Sequence, residues 1–244
     1  MSHAVTSTIG GRAGGLVLLA LGVALVAATV PDMAAHIAMA AGDGTMIGLR
    51  RGAAPPSAAL RSAIFTRDAA LGWRNFAQPQ ADKAALYFEL ASRTAEMPRD
   101  SSGNASAQYR NAVLDRSITL HRSALGQGPA RPYAWLRLAQ AQYLRDPGGA
   151  KLDPLLRQSY LTAPAEPQLA LQRIKLVFAA RHLVGQGFDE MVSRDIRLVV
   201  RYRPGFLSEF ARERFALPWL REKLRSDPDL EARFIGDYLK LPSP

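Results

Sequence analysis

The chain has 244 residues, no cysteine, a net charge of +10 and an apolar content of 48%. That apolar share supports a packed core and excludes wholesale disorder. The absence of cysteine excludes disulfides, cysteine-ligated zinc, thiol catalysis and a lipidated N-terminal cysteine. A pI near 10.4 suits anionic partners such as lipid headgroups, an acidic polymer or nucleic acid. The arginines are dispersed, however, and a set of solvated helix faces accounts for them without any partner.

Residues 14–30, GGLVLLALGVALVAATV, carry no charge and lie between Arg12 and Pro31–Asp32. A run this short sits at the lower edge of what crosses a bilayer, and continuation through MAAHIAMAA lengthens it. Residues 1–13 therefore read as a short N-terminal tail and 14–38 as a transmembrane anchor. Ala38–Ala40 forms an A-x-A-like site, so a cleaved signal peptide stays open as the alternative, with segment length favouring the anchor. Arg12 lies closer to the apolar run than Arg50 and Arg51 do. The positive-inside rule then keeps the N-terminus inside and sends the rest to the periplasm or exterior of a bacterial inner membrane. Deleting Arg12 and Asp32 leaves the net charge unchanged, so the basic character belongs to the remainder of the chain. Residues 39–56, rich in Gly, Ala and Pro, read as a linker. GDGTMIG within them lacks the Lys-Ser/Thr and the preceding strand of a phosphate loop.

From Ser57 onward the apolar spacing is helical and no period-2 strand stands out. Helices are predicted over 57–76, 81–97, 104–125, 131–145, 154–162, 167–183, 187–202, 206–216, 218–225 and 228–240, so that 57–240 form an all-α domain. Asp153 and Asp227, each followed by proline, read as N-caps with Pro at the first helical position. The short Pro- and Gly-containing breaks favour antiparallel neighbours and hence stacked helical hairpins.

One unit stands out. Trp135, Leu138, Ala139 and Gln142 share a helical face; RDPGG breaks the chain; Leu155, Leu156, Ser159 and Tyr160 follow; and Pro164 closes the unit. Ala139 is expected to let the two helices approach while Trp135 and Leu138 fill the groove between them, with Leu155, Ser159 and Pro164 completing the packing. This arrangement resembles a tetratricopeptide repeat. KAALYFELASRTA with AQYRNAVLDRSITLHRSAL would be a pair before it, and LALQRIKLVFAARHL with FDEMVSRDIRLVVRYRP a degenerate pair after it. A plain helical bundle with short loops remains the other reading.

Ala134, Trp135, Leu138 and Ala139, followed by Leu156, Arg157, Ser159, Tyr160, Thr162, Ala163 and Pro164, also resemble an A-W-x-x-L-A helix and an L-R-x-S-[WY]-x-T-[AG]-P segment. These elements belong to membrane-anchored helical accessory proteins encoded near bacterial exopolysaccharide or O-antigen genes. The resemblance implies a place in surface-polysaccharide assembly and brings no catalytic residues with it.

Motifs for chemistry are sparse. His3, His36, His121 and His182 lack the clustered partners of a metal site, and His121 and His182 read as surface or groove residues. There is no HExxH, GxSxG or phosphate loop. Asp227–Pro228–Asp229 is better explained as a helix cap than as a glycosyltransferase metal pair. No cofactor and no enzymatic activity are expected. The C-terminal arginines Arg194, Arg197, Arg201, Arg203, Arg212 and Arg214 interleave with Tyr202, Phe206, Phe210, Phe215 and Trp219. They form a possible surface for an anionic polymer or headgroups, unless the aromatics fill interhelix grooves while the arginines reach solvent. The expectation is a membrane-tethered scaffold holding other envelope or polysaccharide-assembly proteins, with nucleic acid an improbable partner. A basic module that binds anionic polymer or lipid directly is the alternative.

Overall fold

A computed structural model describes residues 8–51, 53–94, 103–149 and 151–242. The described residues form eleven α-helices, one 3-10 turn and no strand: α1 Thr8–Arg50, α2 Ser57–Trp73, α3 Ala77–Thr94, α4 Gly103–Gln127, α5 Pro132–Arg145, α6 Asp153–Thr162, α7 Pro167–Ala179, the 3-10 turn Gln186–Phe188, α8 Asp189–Tyr202, α9 Pro204–Glu213, α10 Leu217–Leu224 and α11 Pro228–Leu239. The all-α fold expected from the spacing is present, and each predicted segment has its helix.

The first helix departs from expectation. α1 runs for 43 residues with Pro31 inside it, so residues 39–50 are helix and not linker. Its apolar N-terminal part is long enough to span a membrane and, among the described residues, packs on nothing, with a mean hydropathy of 2.2 in its most apolar window. The uncharged run between Arg12 and Asp32 covers about 28 Å at 1.5 Å per residue, close to the ~30 Å of a bilayer's hydrocarbon core. Beyond Asp32 the same helix packs on α2. Ala35 and Met39 meet Ala70, Arg74 pairs with Asp32, and the rings of His36 and Phe76 lie 5.8 Å apart. Of the glycines that made this segment look like a linker, Gly42 serves the crossing. A Cβ on Gly42 would run into Thr66 Oγ1 and the Arg67 guanidinium. Arg67, buried at this crossing, donates to Met39 O at 2.8 Å and to Asp43 Oδ1 at 2.6 Å, with Asp82 Oδ2 at 3.6 Å.

Helices α1 to α6 then pack each on the next in chain order, and α3 also touches α1 and α5. Two apolar cores result. The first joins Leu60, Ile64, Leu86, Phe88, Leu114 and Ile118 to Ala134, Leu138 and Ala141 of α5. The second joins Leu136 and Ala139 of α5 to Leu152, Leu156 and Tyr160 of α6 and to α7–α11. Here α8 is the hub, contacting α7, α9, α10 and α11, with Val192, Ile196, Val199 and Val200 buried.

Since α5 belongs to both cores, its apolar residues occupy two faces rather than one. Leu138 and the half-buried Trp135 turn back toward the first core, whereas Ala139 turns forward to the second. Of the α5 residues expected to pack between the two helices, Ala139 thus joins Leu156 and Tyr160 of α6 in the second core, whereas Trp135 and Leu138 belong to the first. Leu155 bridges the cores, touching both.

Candidate binding cleft between the two cores

A cavity of about 480 Å³ opens where the two cores meet, within the size range of ligand pockets. Met46, Leu49 and Arg50 from the end of α1 form one wall. Residues Gln78–Glu89 of α3 form another, His121 comes from α4, and Arg131–Arg137 and Glu166–Gln172 complete the cavity. The segment expected to be a linker thus supplies part of the wall, which couples the cleft to the apolar helix.

Most charges in the cleft are matched from within. Arg50 lies 3.3 Å from Asp82, and Glu89 accepts from Arg93 at 3.2 Å. Arg131 donates to Gln78 at 2.6 Å, and Glu166 caps α7 through the Gln168 N–H at 3.4 Å. Arg137 differs. Its guanidinium lies 4.8 Å from the Phe88 ring centroid and donates to Gln140 Oε1 at 3.1 Å, and among the described residues it has no ion pair. Burial works against its charge while Glu89 and Tyr133 favour it; a guanidinium keeps its proton under such conditions.

His121 stands beside it, 1% exposed, with neither ring nitrogen hydrogen-bonded among the described residues. Burial first, and the Arg137 charge second, pull its pKa from 6.5 to about 3, so the imidazole is neutral at pH 7. It holds one N–H donor and one acceptor nitrogen. Burial also raises the Tyr133 hydroxyl above its ordinary value. The buried Gln172 Oε1 has no donor either. An orphaned buried polar group costs about 1–3 kcal/mol, so the three unpartnered atoms of His121 and Gln172 around one cavity mark where a partner's polar atoms fit.

Sequence reasoning placed His121 on a surface or in a groove and passed over Arg137 and Gln172. The signal for His121 is present, because Leu114, Ser117, Ile118, His121, Ala124 and Leu125 form one helical stripe, and all are buried. For Arg137 the signal is its place between Leu136 and Leu138, which belong to different cores. His182 is exposed. The residues assigned to repeat packing are arranged around the cleft without forming it. The Trp135 indole N–H donates to Pro129 O at 2.8 Å, Ser159 Oγ donates to Pro132 O at 3.3 Å, and Pro164 is exposed just beyond α6.

The six arginines of the possible anionic surface divide. Arg194, Arg201, Arg203 and Arg214 are exposed. Arg197 pairs with Glu190 at 2.9 Å. Arg212 holds the C-terminal backbone, donating to Tyr238 O at 3.3 Å, Leu241 O at 3.2 Å and Pro242 O. Of the interleaved aromatics, Phe210 is buried, and Trp219 is half-buried beside Phe178. Tyr202, Phe206 and Phe215 stay exposed. Arg203 stacks 5.6 Å from Phe206 at the α8–α9 corner, whereas Phe215 lies beyond the other end of α9.

Compared with known protein families, curated proteins and solved structures, the chain matches none.

Proposed function

We propose that this protein is a membrane-tethered docking protein whose cleft receives a segment of another envelope protein. The observation that carries the reading is that the long apolar helix continues without a break into a wall of the cleft through Met46, Leu49 and Arg50. A rigid continuation of this kind holds the cleft at a fixed height above the bilayer and raises its effective concentration toward membrane partners. The successive packing of α1 to α6 is the arrangement that a tetratricopeptide-like scaffold uses to present a groove. The resemblance of residues 134–164 to accessory proteins of exopolysaccharide and O-antigen loci points to surface-polysaccharide biosynthesis or export as the setting. In this reading the protein spans the inner membrane once, its helical domain faces the periplasm, and it binds rather than catalyses.

A photo-crosslinking amino acid placed at Ala130, an exposed residue of the cleft rim, tests this in intact membranes, with Ala232 on α11 as the control position. The expected result is a discrete adduct with one envelope protein from position 130 and none from 232. Equal labelling from both positions, or adducts with cytoplasmic proteins, defeats the proposal.

The second reading, direct binding of an anionic polymer or headgroups, draws on the exposed Tyr202, Arg203 and Phe206. Such binding weakens steeply with ionic strength, whereas docking of a largely apolar segment does not.

A further inference from the structure

We infer that the cleft recognises the free C-terminus of a partner chain, with the terminal carboxylate on Arg137 and His121, the last amide N–H on Gln172, and an apolar final side chain against Met46, Leu49 and Leu169. This deepens the docking reading and rests on it.

The geometry supplies the pieces separately. Arg131 and Arg137 are the lining cations without an ion pair among the described residues. Arg131 is held by Gln78 at 2.6 Å, whereas Arg137 stands beside His121, and its planar fork matches a carboxylate in two hydrogen bonds. His121 is fully buried with both nitrogens unpartnered and offers one N–H to the same group. Gln172 Oε1, also buried and unpartnered, needs a donor, which a carboxylate cannot be but the adjoining peptide N–H is. No side chain caps the start of α5, whose first residues line the cleft and whose partial positive charge favours an anion there. The lining cations Arg50, Arg131 and Arg137 balance the lining carboxylates Asp82, Glu89 and Glu166, but Asp82 is shared with Arg67, which also holds Asp43, and Glu89 with Arg93. With these partners five cations face four carboxylates, a surplus that matches a single negative charge better than a doubly charged phosphate beside Glu89.

The experiment uses the full-length protein in detergent micelles and three probes: acetyl-Gly-Ala-Leu with a free carboxylate, the same peptide as its C-terminal amide, and hexanoate. Calorimetric titration is expected to show the acid binding at least tenfold more tightly than the amide and more tightly than hexanoate. Arg137→Gln should abolish that preference, Arg137→Lys should restore part of it, and Gln172→Met should weaken the peptide acid while leaving hexanoate unchanged. Equal affinity for acid and amide overturns the inference yet leaves the docking reading standing. Binding of hexanoate in preference to either peptide overturns both, as does the absence of any heat at millimolar probe. Should Arg137→Gln fail to fold, the comparison of acid with amide on the wild-type protein decides alone.

Discussion

Around Arg173, in the C-terminal core, the guanidinium is matched on every side. Nε and Nη2 donate to the two oxygens of Asp195 at 2.8 and 3.1 Å, and Nη1 donates to Ser159 O at 3.2 Å and Ala163 O at 3.0 Å. The Tyr160 ring lies against it with its centroid 4.3 Å away. Burial pushes the Asp195 carboxyl up, against the pull of the Arg173 hydrogen bonds and charge, and Tyr160 is raised chiefly by burial as well. Arg137 in the cleft has Gln140 and a phenyl face. One arginine closes a structure on itself and ties α6, α7 and α8 together; the other leaves donors directed at a cavity. The difference separates a residue kept for folding from one available for binding.

Breaking the closed site gives the largest expected effect. Asp195→Leu leaves Arg173 charged and uncompensated in the core, and removing one partner of a buried pair costs about 3–5 kcal/mol. Arg173→Met with Asp195→Leu should recover most of that loss, because an apolar pair of similar volume is often neutral there. Arg137→Met removes no ion pair and should cost less than about 1 kcal/mol. Denaturant unfolding followed by helical circular dichroism measures all three. A loss for Arg137→Met as large as that for Asp195→Leu would erase the distinction between the two arginines.

A smaller effect probes the open site through pH. His121 titrates near 6.5 when unfolded and at about 3 in the fold, so the folded protein holds its neutral form. Above about pH 7.5 neither state binds the proton appreciably and the group contributes nothing. Below it the unfolded chain binds the proton first, and stability falls by up to about 1.4 kcal/mol per pH unit until pH approaches 3. Between pH 7.5 and 5 the loss is about 2 kcal/mol. His121→Leu lacks this term, so its stability relative to wild type should improve by that amount over the same interval. Arg137, Asp82, Glu89, Glu166 and Tyr133 line the same cleft and are common to both proteins. Parallel stability curves for the two proteins would place His121 in contact with water or a carboxylate instead.

How much was legible in the sequence follows from the same contrast. Helix positions were readable because apolar spacing and Pro and Gly breaks are local signals, and α6, α8 and α11 lie within two residues of their predicted bounds. The extent of α1 was not readable. Gly42, Gly44 and Gly48 look like a flexible connection until α2 is placed beside them, and only then does Gly42 become the point where Arg67 and Thr66 approach the backbone. The cleft was illegible for a related reason. His121, Arg137 and Gln172 lie on three different helices, and no spacing along the chain brings them together. The dual burial of α5 was not readable either, because a helix shared by two cores has two apolar faces whose residues interleave in sequence.

The smallest effect concerns two identical dipeptides that the fold treats differently. Asp227, before Pro228, is a true N-cap, its Oδ1 accepting from the Leu230 N–H at 3.3 Å. Asp153, before Pro154, is not. It is the first residue of α6, Leu152 stands in the cap position with helical backbone angles, and the Asp153 carboxylate reaches the Gly185 N–H at 3.5 Å. Leu152 is 1% exposed, so the apolar demand of the second core pulls the helix start back by one residue and takes Asp153 out of capping register. Replacing an N-cap Asp by Ala costs about 1 kcal/mol. Asp227→Ala should lose that amount, whereas Asp153→Ala should lose no more than a few tenths, as expected for a long, half-exposed contact. Urea midpoints for the two variants at pH 7 decide it. Equal losses would mean that Asp153 caps α6 in solution after all, and that the core does not set where this helix begins.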